Sequence, residues 1–155
     1  LGVMNVEHLH DFEKAKYHYK KSIEIKPDNC IAWSNLGYVY HETDDLENAI
    51  SCYVKAIEID PSYIFAKCNL ANIYNFNMNN FEKAKKYYDE CLAIESNSAI
   101  VNLNYALMYP QAKDNGFASP ISFDEAKSHY LSAITNDRSF KSSRLDELFN
   151  LKIIL

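Results

Sequence analysis

Glycine and proline are scarce in this sequence, which contains 3 Gly and 4 Pro among 155 residues. These residues form most tight turns, so their scarcity excludes a sandwich of many short strands and favours long helices with short connections. Hydrophobic residues nevertheless make up 48% of the chain and aromatic residues 14%. That content is sufficient for a packed core and argues against disorder over most of the length.

Clustered positive charge is also missing. The formal net charge is −5, and no run of Lys or Arg exceeds two residues. Because neutralising phosphates requires clustered positive charge, we expect no binding to nucleic acid. No stretch approaches about 18 consecutive apolar residues, so the sequence predicts no membrane insertion.

The cysteines lack the spacing of a zinc or redox motif. They are 22, 16 and 23 residues apart, and none forms a Cys-x-x-Cys pair. Four reduced thiols are typical of a reducing compartment, so we predict a cytoplasmic protein. The residues concerned are Cys30, Cys52, Cys68 and Cys91.

Catalytic motifs are absent from the sequence as well. His8, His10 and Asp11 form the only dense cluster of metal-binding residue types. On a helix, however, His8 and His10 lie on different faces, whereas a metal site prefers a spacing of three or four. There is no phosphate loop, Gly-rich dinucleotide motif or G-x-S-x-G turn. We therefore predict no catalytic residues, no metal, no cofactor and no enzyme activity within these residues.

A pattern of small and aromatic residues recurs along the chain. Its clearest copy reads Trp33-x-x-Leu36-Gly37-x-x-Tyr40, then Ala49-x-x-x-Tyr53, Ala56 and Pro61. Later copies contain Ala71, Tyr74, Ala84 and Tyr88, and then Ala106, Tyr109, Ala126 and Tyr130; an upstream copy contains Gly2, Ala15, Tyr19 and Pro27. The pattern resembles the tetratricopeptide repeat, a unit of 34 residues in which two helices, A and B, are joined by a turn.

The small residues have a physical reason. Gly37, Ala71 and Ala106 recur at one position of helix A, and alanines recur at one position of helix B. Small side chains at a helix crossing let the two backbones approach closely. The neighbouring tyrosines then fill the space beside them with large apolar rings.

The resemblance implies an all-α solenoid, a right-handed superhelix of about three full repeats with a partial first repeat and a C-terminal helix. We expect a repeat array over residues 1–137, with a capping or next-repeat helix over 138–155. The expected repeats are 1–29, 30–63, 64–98 and 99–137, and the expected helices are 1–9, 12–25, 30–42, 45–59, 62–76, 80–94, 98–109, 122–136 and 142–155. Asp44 or Asp45 and Asn80 are expected N-caps of helix B.

The distance from the small residue of helix A to the alanine of helix B varies between units. It is 13 residues in the first and third units, 12 in the second and 20 in the fourth. Pro110 is expected to end helix A of the fourth unit and to begin a loop insertion over 110–121. A simple surface loop and a functional lid carrying exposed Phe117 both remain open.

An asparagine precedes each small residue of helix A by two positions, at Asn35, Asn69 and Asn104. In the family, such asparagines line the concave groove and grip a peptide main chain, because an amide offers both a donor and an acceptor. The alternative is that they bond neighbouring helices and support the stack. Further groove positions implied by the resemblance are Ile31, Phe65, Ile100, Ser34, Cys68, Leu103, Tyr38, Asn72 and Leu107.

These groove positions carry almost no charge, and Ile100 and Asn104 stand where a chaperone-binding subset of the family has Lys and Arg. The resemblance therefore implies a scaffold or adaptor that binds an uncharged, partly apolar segment of a partner protein. Two alternatives remain open: a substrate-recognition arm of a larger enzyme, and an architectural subunit of a large complex. The apolar end at Ile153, Ile154 and Leu155 suggests a fragment of a longer protein.

Overall fold

A computed structural model describes the backbone of residues 6–149 and the side chains of residues 11–149. Within that range the chain is entirely helical apart from its connections and contains no strand, as expected. Two compact units divide it, residues 1–70 and 71–155. The expected contributions of residues 1–5 and 150–155, including Gly2 and the apolar end, lie outside the described residues.

The first unit contains three helices and the start of a fourth: α1 (Val6–Ile25), α2 (Cys30–Glu42), α3 (Leu46–Ile59) and α4 (Ile64–Asn72). Helices α2 and α3 form an A–B pair, and α1 packs on α2. Its core is small and apolar, since Leu36, Val39 and Tyr53 are almost fully buried together with the alanines between them.

The second unit begins at the end of α4 and repeats the same hairpin. Its helices are α5 (Phe81–Ile94), α6 (Ala99–Asp114), α7 (Phe123–Asn136) and α8 (Ser143–Leu148), with a short 3₁₀ turn at Arg138–Phe140. The most extensive packing in this unit is between α6 and α7. The largest fully buried side chains are Tyr88, Tyr105, Tyr130, Phe149, Ile73 and Met108.

Gly37 marks the close crossing of helices α2 and α3. A Cβ atom built on it would lie 3.0 Å from Cε1 of Tyr53 and 3.2 Å from the carbonyl oxygen of Ala49. Both contacts are tighter than ordinary packing, so a side chain here would push the helices apart. The corresponding residues of the second unit, Ala71 and Ala106, are fully buried. The predicted reason for the small residues is therefore visible in the packing.

Side-chain caps fix where the B helices begin. Asp45 accepts a hydrogen bond from the amide of Asn48 (3.3 Å), and Asn80 accepts one from the amide of Lys83 (3.2 Å). Both residues were expected as caps, and both expectations are confirmed. Ser122 plays the same role for α7, where it accepts from the amide of Glu125 at 3.1 Å.

The expected helix over 62–76 is only partly α-helical. It begins at Ile64, and after Asn72 the chain forms a π-helical turn, Ile73–Asn77, closed by a bond from the amide of Met78 to the carbonyl of Ile73 at 3.1 Å. This unit has one residue more than the second between its small residue and its helix B alanine. The π turn absorbs that residue, because it holds more residues per turn than an α-helix.

Pro110 does not end its helix, so that expectation is wrong. Helix α6 continues through it to Asp114. Proline disfavours the preceding α conformation and removes one donor, but burial outweighs this cost here. Ala112, two residues beyond Pro110, is fully buried, and its carbonyl accepts a hydrogen bond from the amide of Phe117 at 2.8 Å.

The loop after α6 contacts the residues that connect the π turn to α5 and the first residue of α5. The Phe117 ring lies 5.8 Å from that of Phe81, and the Asn115 amide donates to Oδ1 of Asn79 at 2.9 Å. Phe117 is nevertheless 52% exposed.

The expected break near residue 10 is also wrong. One helix runs from Val6 to Ile25, since this stretch contains neither Gly nor Pro to interrupt it. At the other end, α8 ends at Leu148, and the expected continuation to residue 155 lies largely outside the described part of the chain.

Deleting Asn77 should be tolerated, because it restores the 12-residue spacing found between Gly37 and Ala49. We expect the free energy of unfolding to change by less than about 2 kcal/mol, as measured by urea denaturation. Deleting Lys67 in the regular part of α4 is the matched control. This deletion rotates Ala66 relative to Leu70, both of which are fully buried. It should lower the free energy of unfolding by about 2–5 kcal/mol. An equal loss of stability in the Asn77 and Lys67 deletions would show that the π turn is itself required.

Candidate functional site

The first unit presents four of the predicted groove side chains at its surface. Ile31, Phe65 and Tyr38 are 54%, 67% and 49% exposed, and Asn35 is half-buried. Within the described residues the structure shows no hydrogen bond from the Asn35 side chain. Ser34 is only 3% exposed, so its side chain is not presented to a partner. The exposed apolar groups and Asn35 therefore remain as candidate contacts here.

Cys68 and Asn69, on α4, are both half-buried. Asn69 approaches the hydroxyl of Tyr53, which is fully buried and has no hydrogen-bond partner of ordinary geometry among the described residues. Burial raises the pKa of Tyr53, Tyr38 acts in the same direction, and Asn69 acts weakly against it. A buried hydroxyl without a partner costs stability.

The second unit holds the other predicted groove side chains on α4 and α6. Asn104 donates from its amide to Oδ1 of Asn72 at 3.0 Å, and the buried Tyr88 hydroxyl donates to the same oxygen at 2.6 Å. Leu103 and Leu107 are half-buried, while Ile100 is 49% exposed. The asparagines of this unit are thus partly occupied by one another, which the alternative interpretation of the sequence anticipated.

Asp146 occupies the position in α8 that Asn35, Asn69 and Asn104 occupy in the A helices, and the sequence analysis missed it. It stands eight residues after Arg138, just as Asn104 stands eight after Ser96. Its carboxylate accepts a hydrogen bond from Tyr130 at 2.8 Å, and the Tyr130 hydroxyl accepts from the amide of Ser142 at 2.8 Å. The spacing after the end of helix B was a usable signal, and the change from amide to carboxylate concealed it.

An open pocket of about 320 Å³ lies beside α6 and the start of α8. We call it the α6 pocket. Six apolar side chains line most of it, and an ion pair between Arg144 and Asp114 (2.8 Å) lies at its surface. The complete lining is Phe76, Leu103, Leu107, Pro110, Gln111, Asp114, Phe140, Ser142, Arg144 and Leu145.

A polar cluster joins α5, α6 and α7 in the same unit. The Tyr105 hydroxyl lies 2.9 Å from Oδ1 of Asp89 and 2.9 Å from Oε1 of Glu125. A phenol has one proton, so it can donate to only one carboxylate at a time. Lys85 offsets the negative charge, with its Nζ 2.9 Å from Asp89 and 3.9 Å from Glu125. Burial, followed by the two carboxylates, raises the pKa of Tyr105.

His129 packs against this cluster, and Asn102 determines which of its ring nitrogens carries the proton. The Asn102 amide nitrogen donates to the carbonyls of Ser96 and Ser98, so its oxygen faces Nδ1 of His129 at 2.7 Å. Nδ1 must then carry the proton. The ring stacks on Tyr105 with centroids 4.1 Å apart. Burial lowers the pKa of His129, although the nearby carboxylates act in the opposite direction.

Metal-binding clusters and membrane-spanning helices are both absent from the described residues. Among the described residues, no group of three or more His, Cys, Asp and Glu is arranged to hold a metal ion. The side chains of His8 and His10 lie outside the described ones. No helix in the described range is both long and apolar enough to span a bilayer.

Three family models match the repeated hairpins. Models described as Tetratricopeptide repeat match residues 30–63 and 66–98, and one described as TPR repeat matches residues 10–44, so that together they span more than half of the chain. The chain belongs to the tetratricopeptide repeat family. This membership supports a general role as a scaffold for protein–protein interaction.

Solved structures agree with a tetratricopeptide fold. A chain described as MamA MSR-1 C2 aligns with a TM-score of 0.63 and 21% identity, covering 84% of this chain and 70% of that one. A chain described as Crystal structure of MamA aligns with a TM-score of 0.58 and 19% identity, covering 88% of this chain and 96% of that one. At such identities the similarity concerns the fold alone. The comparison with curated proteins found no match.

Replacing Tyr88 by Phe should destabilise the protein by about 0.5–1.5 kcal/mol, because its hydroxyl loses the bond to Asn72. Tyr53→Phe is the matched control at the equivalent position of the first unit. Its hydroxyl has no partner among the described residues, so removing it should leave stability unchanged or raise it. Urea denaturation of both variants measures the difference, and an equal loss in both would contradict this assignment.

Stability should fall as the pH decreases through about 6.5, the ordinary pKa of an unfolded histidine. The folded protein holds His129 below that pKa, so the unfolded chain binds the proton first and is favoured by acid. His129→Gln should reduce this pH dependence in urea denaturation between pH 7.5 and 5, whereas Asn97→Gln, a change at an exposed residue that does not titrate, should not. Equal slopes for His129→Gln and the parent protein would contradict the prediction.

Proposed function

We propose that this protein is an interaction scaffold that binds an uncharged, partly apolar polypeptide segment along the faces of its A helices. One observation carries the proposal. An exposed apolar side chain and a half-buried asparagine recur four residues apart on successive A helices: Ile31 with Asn35, Phe65 with Asn69, and Ile100 with Asn104. Residues four apart share one face of a helix, so each helix offers the same pair.

The exposed apolar side chains favour binding because their contact with water is unfavourable and a partner would remove it. Ile31, Phe65 and Ile100 are each about half exposed or more, and large apolar side chains repeated at one position of a surface are typical of interaction sites. Burying each of them against a partner would contribute about 1–2 kcal/mol. A single exposed apolar residue would need no explanation, but exposed Ile31, Phe65 and Ile100 at the same position of three A helices do.

The asparagines supply the polar part of the proposed contact. Asn35 has no hydrogen bond within the described residues, and Asn104 uses one of its two amide hydrogens on Asn72. An N–H and a carbonyl oxygen of Asn104 thus remain for a peptide group, which itself offers one donor and one acceptor. Such contacts recognise the main chain and do not depend on the partner's side chains.

We also propose a reducing, cytoplasmic location. None of the four cysteines, which all lie in the described range, forms a disulfide, and Cys52 and Cys91 are buried. Burial raises the pKa of Cys52 to about 11, which leaves it a protonated, unreactive thiol at neutral pH. Cysteines that form no disulfide are typical of cytosolic proteins.

The proposal is tested with a displayed library of random 15-residue peptides, from which binders to the parent protein are selected. Replacing Asn35, Asn69 and Asn104 by Ala together should weaken the selected peptides roughly tenfold to a thousandfold, as expected for three lost hydrogen bonds. A control with Asn48, Asn97 and Asn136 replaced by Ala, all exposed and outside the proposed contact, should bind unchanged.

Circular dichroism and thermal unfolding must show both triple variants to be folded, since Asn104 also bonds to Asn72. If folded protein with all three asparagines replaced keeps its affinity, the main-chain contacts are refuted. If no peptide is selected at all, binding of extended segments is refuted.

A further inference from the structure

The α6 pocket is built where two irregularities of the repeat meet. Phe76, in one wall, belongs to the π turn that absorbs one extra residue. Pro110, Gln111 and Asp114, in another wall, belong to the extension of α6. Helix α2 ends five residues after Gly37, whereas α6 continues for eight after Ala106. The pocket therefore depends on features that the regular A helix α2 does not have.

The remaining walls come from the chain after helix B. Phe140 lies in the 3₁₀ turn, and Ser142, Arg144 and Leu145 lie at the start of α8. Leu103 and Leu107, one turn apart on α6, also line the pocket. Asn104 is adjacent to Leu103 in sequence and stands three residues before Leu107, so it lies at the edge of this apolar face. A segment that contacts Asn104 would thus pass directly beside the pocket.

Charge and size limit what the pocket can accept. Its only charged lining residues, Asp114 and Arg144, already pair with each other at 2.8 Å, so neither demands a charge from an occupant. Six apolar side chains would leave a buried charge without compensation. The volume of about 320 Å³ lies at the small end of ligand sites and suits one large side chain.

We propose that the α6 pocket receives one large uncharged side chain of the bound segment, a leucine, isoleucine, methionine or phenylalanine, and thereby sets which segments bind. This inference rests on the proposed function, because it assumes that a segment lies along the A helices. It adds a side-chain preference to contacts that otherwise recognise only the main chain. The second unit then supplies selectivity.

The test compares peptides selected from the same displayed library on the parent protein and on pocket variants. Leu107→Trp fills the pocket, and Leu103→Gln places a polar group in its floor. The parent protein should select peptides that share a large apolar residue at one position, and each variant should weaken them at least about tenfold. Leu131→Trp and Leu131→Gln are the matched controls, since Leu131 is 39% exposed on α7 and lies outside the pocket.

Changing that shared residue of the peptide to Ala or to Lys should cause a similar loss on the parent protein, and no further loss on Leu107→Trp. This double comparison assigns the side chain to the pocket, and the same comparison on Leu103→Gln replaces it if Leu107→Trp fails to fold. Selection of a shared acidic or basic residue would overturn the inference.

The outcomes separate this inference from the proposed function. Peptides that depend on the three asparagines but tolerate both pocket variants would overturn the pocket and leave the proposed function intact. Peptides that depend on the pocket but tolerate the asparagine variants would support the pocket and refute the main-chain contacts. Failure to select any peptide would overturn both.

Discussion

The close crossing of helices A and B is the constraint on which the rest of this structure depends. At Gly37, an added methyl group would already press on Tyr53 and on the backbone of α3. Because the backbones approach so closely there, the tyrosine ring is enclosed and one side of helix A is buried. The opposite side of helix A is left to the surface, and the candidate contacts lie on it.

The same constraint explains where irregularity is tolerated. The small residue of helix A must stay opposite the alanine of helix B, whatever number of residues separates them. Extra residues are therefore absorbed after the crossing, as the π turn Ile73–Asn77 and as the extension of α6 to Asp114. Both changes fall at the C-terminal end of helix A. The α6 pocket forms at that end, so a variable feature of the chain provides its most distinctive surface.

The repeat and its crossing could be predicted from the sequence because they depend on residues whose effect is local. Gly37, Asp45 and Asn80 act through size or through one short hydrogen bond, and each kept its predicted role. The π turn and the passage of α6 through Pro110 could not be predicted, because tertiary burial decides them against local preference. The same holds for His129 and Asn102, 27 residues apart, whose contact no local pattern announces.

The predicted contacts stay a prediction, but the sequence could not show how each asparagine is held within its own unit. Asn35 has no internal hydrogen bond among the described residues, so a partner would have to order its side chain. Asn104 is already oriented by Asn72, which is itself held by the buried Tyr88 hydroxyl. Ordering a free side chain costs about 0.5–1.5 kcal/mol on binding, so a contact at Asn104 begins with an advantage of that size. Internal bonding of an asparagine and a role in binding are therefore compatible, and the second unit is the better place for an anchoring contact.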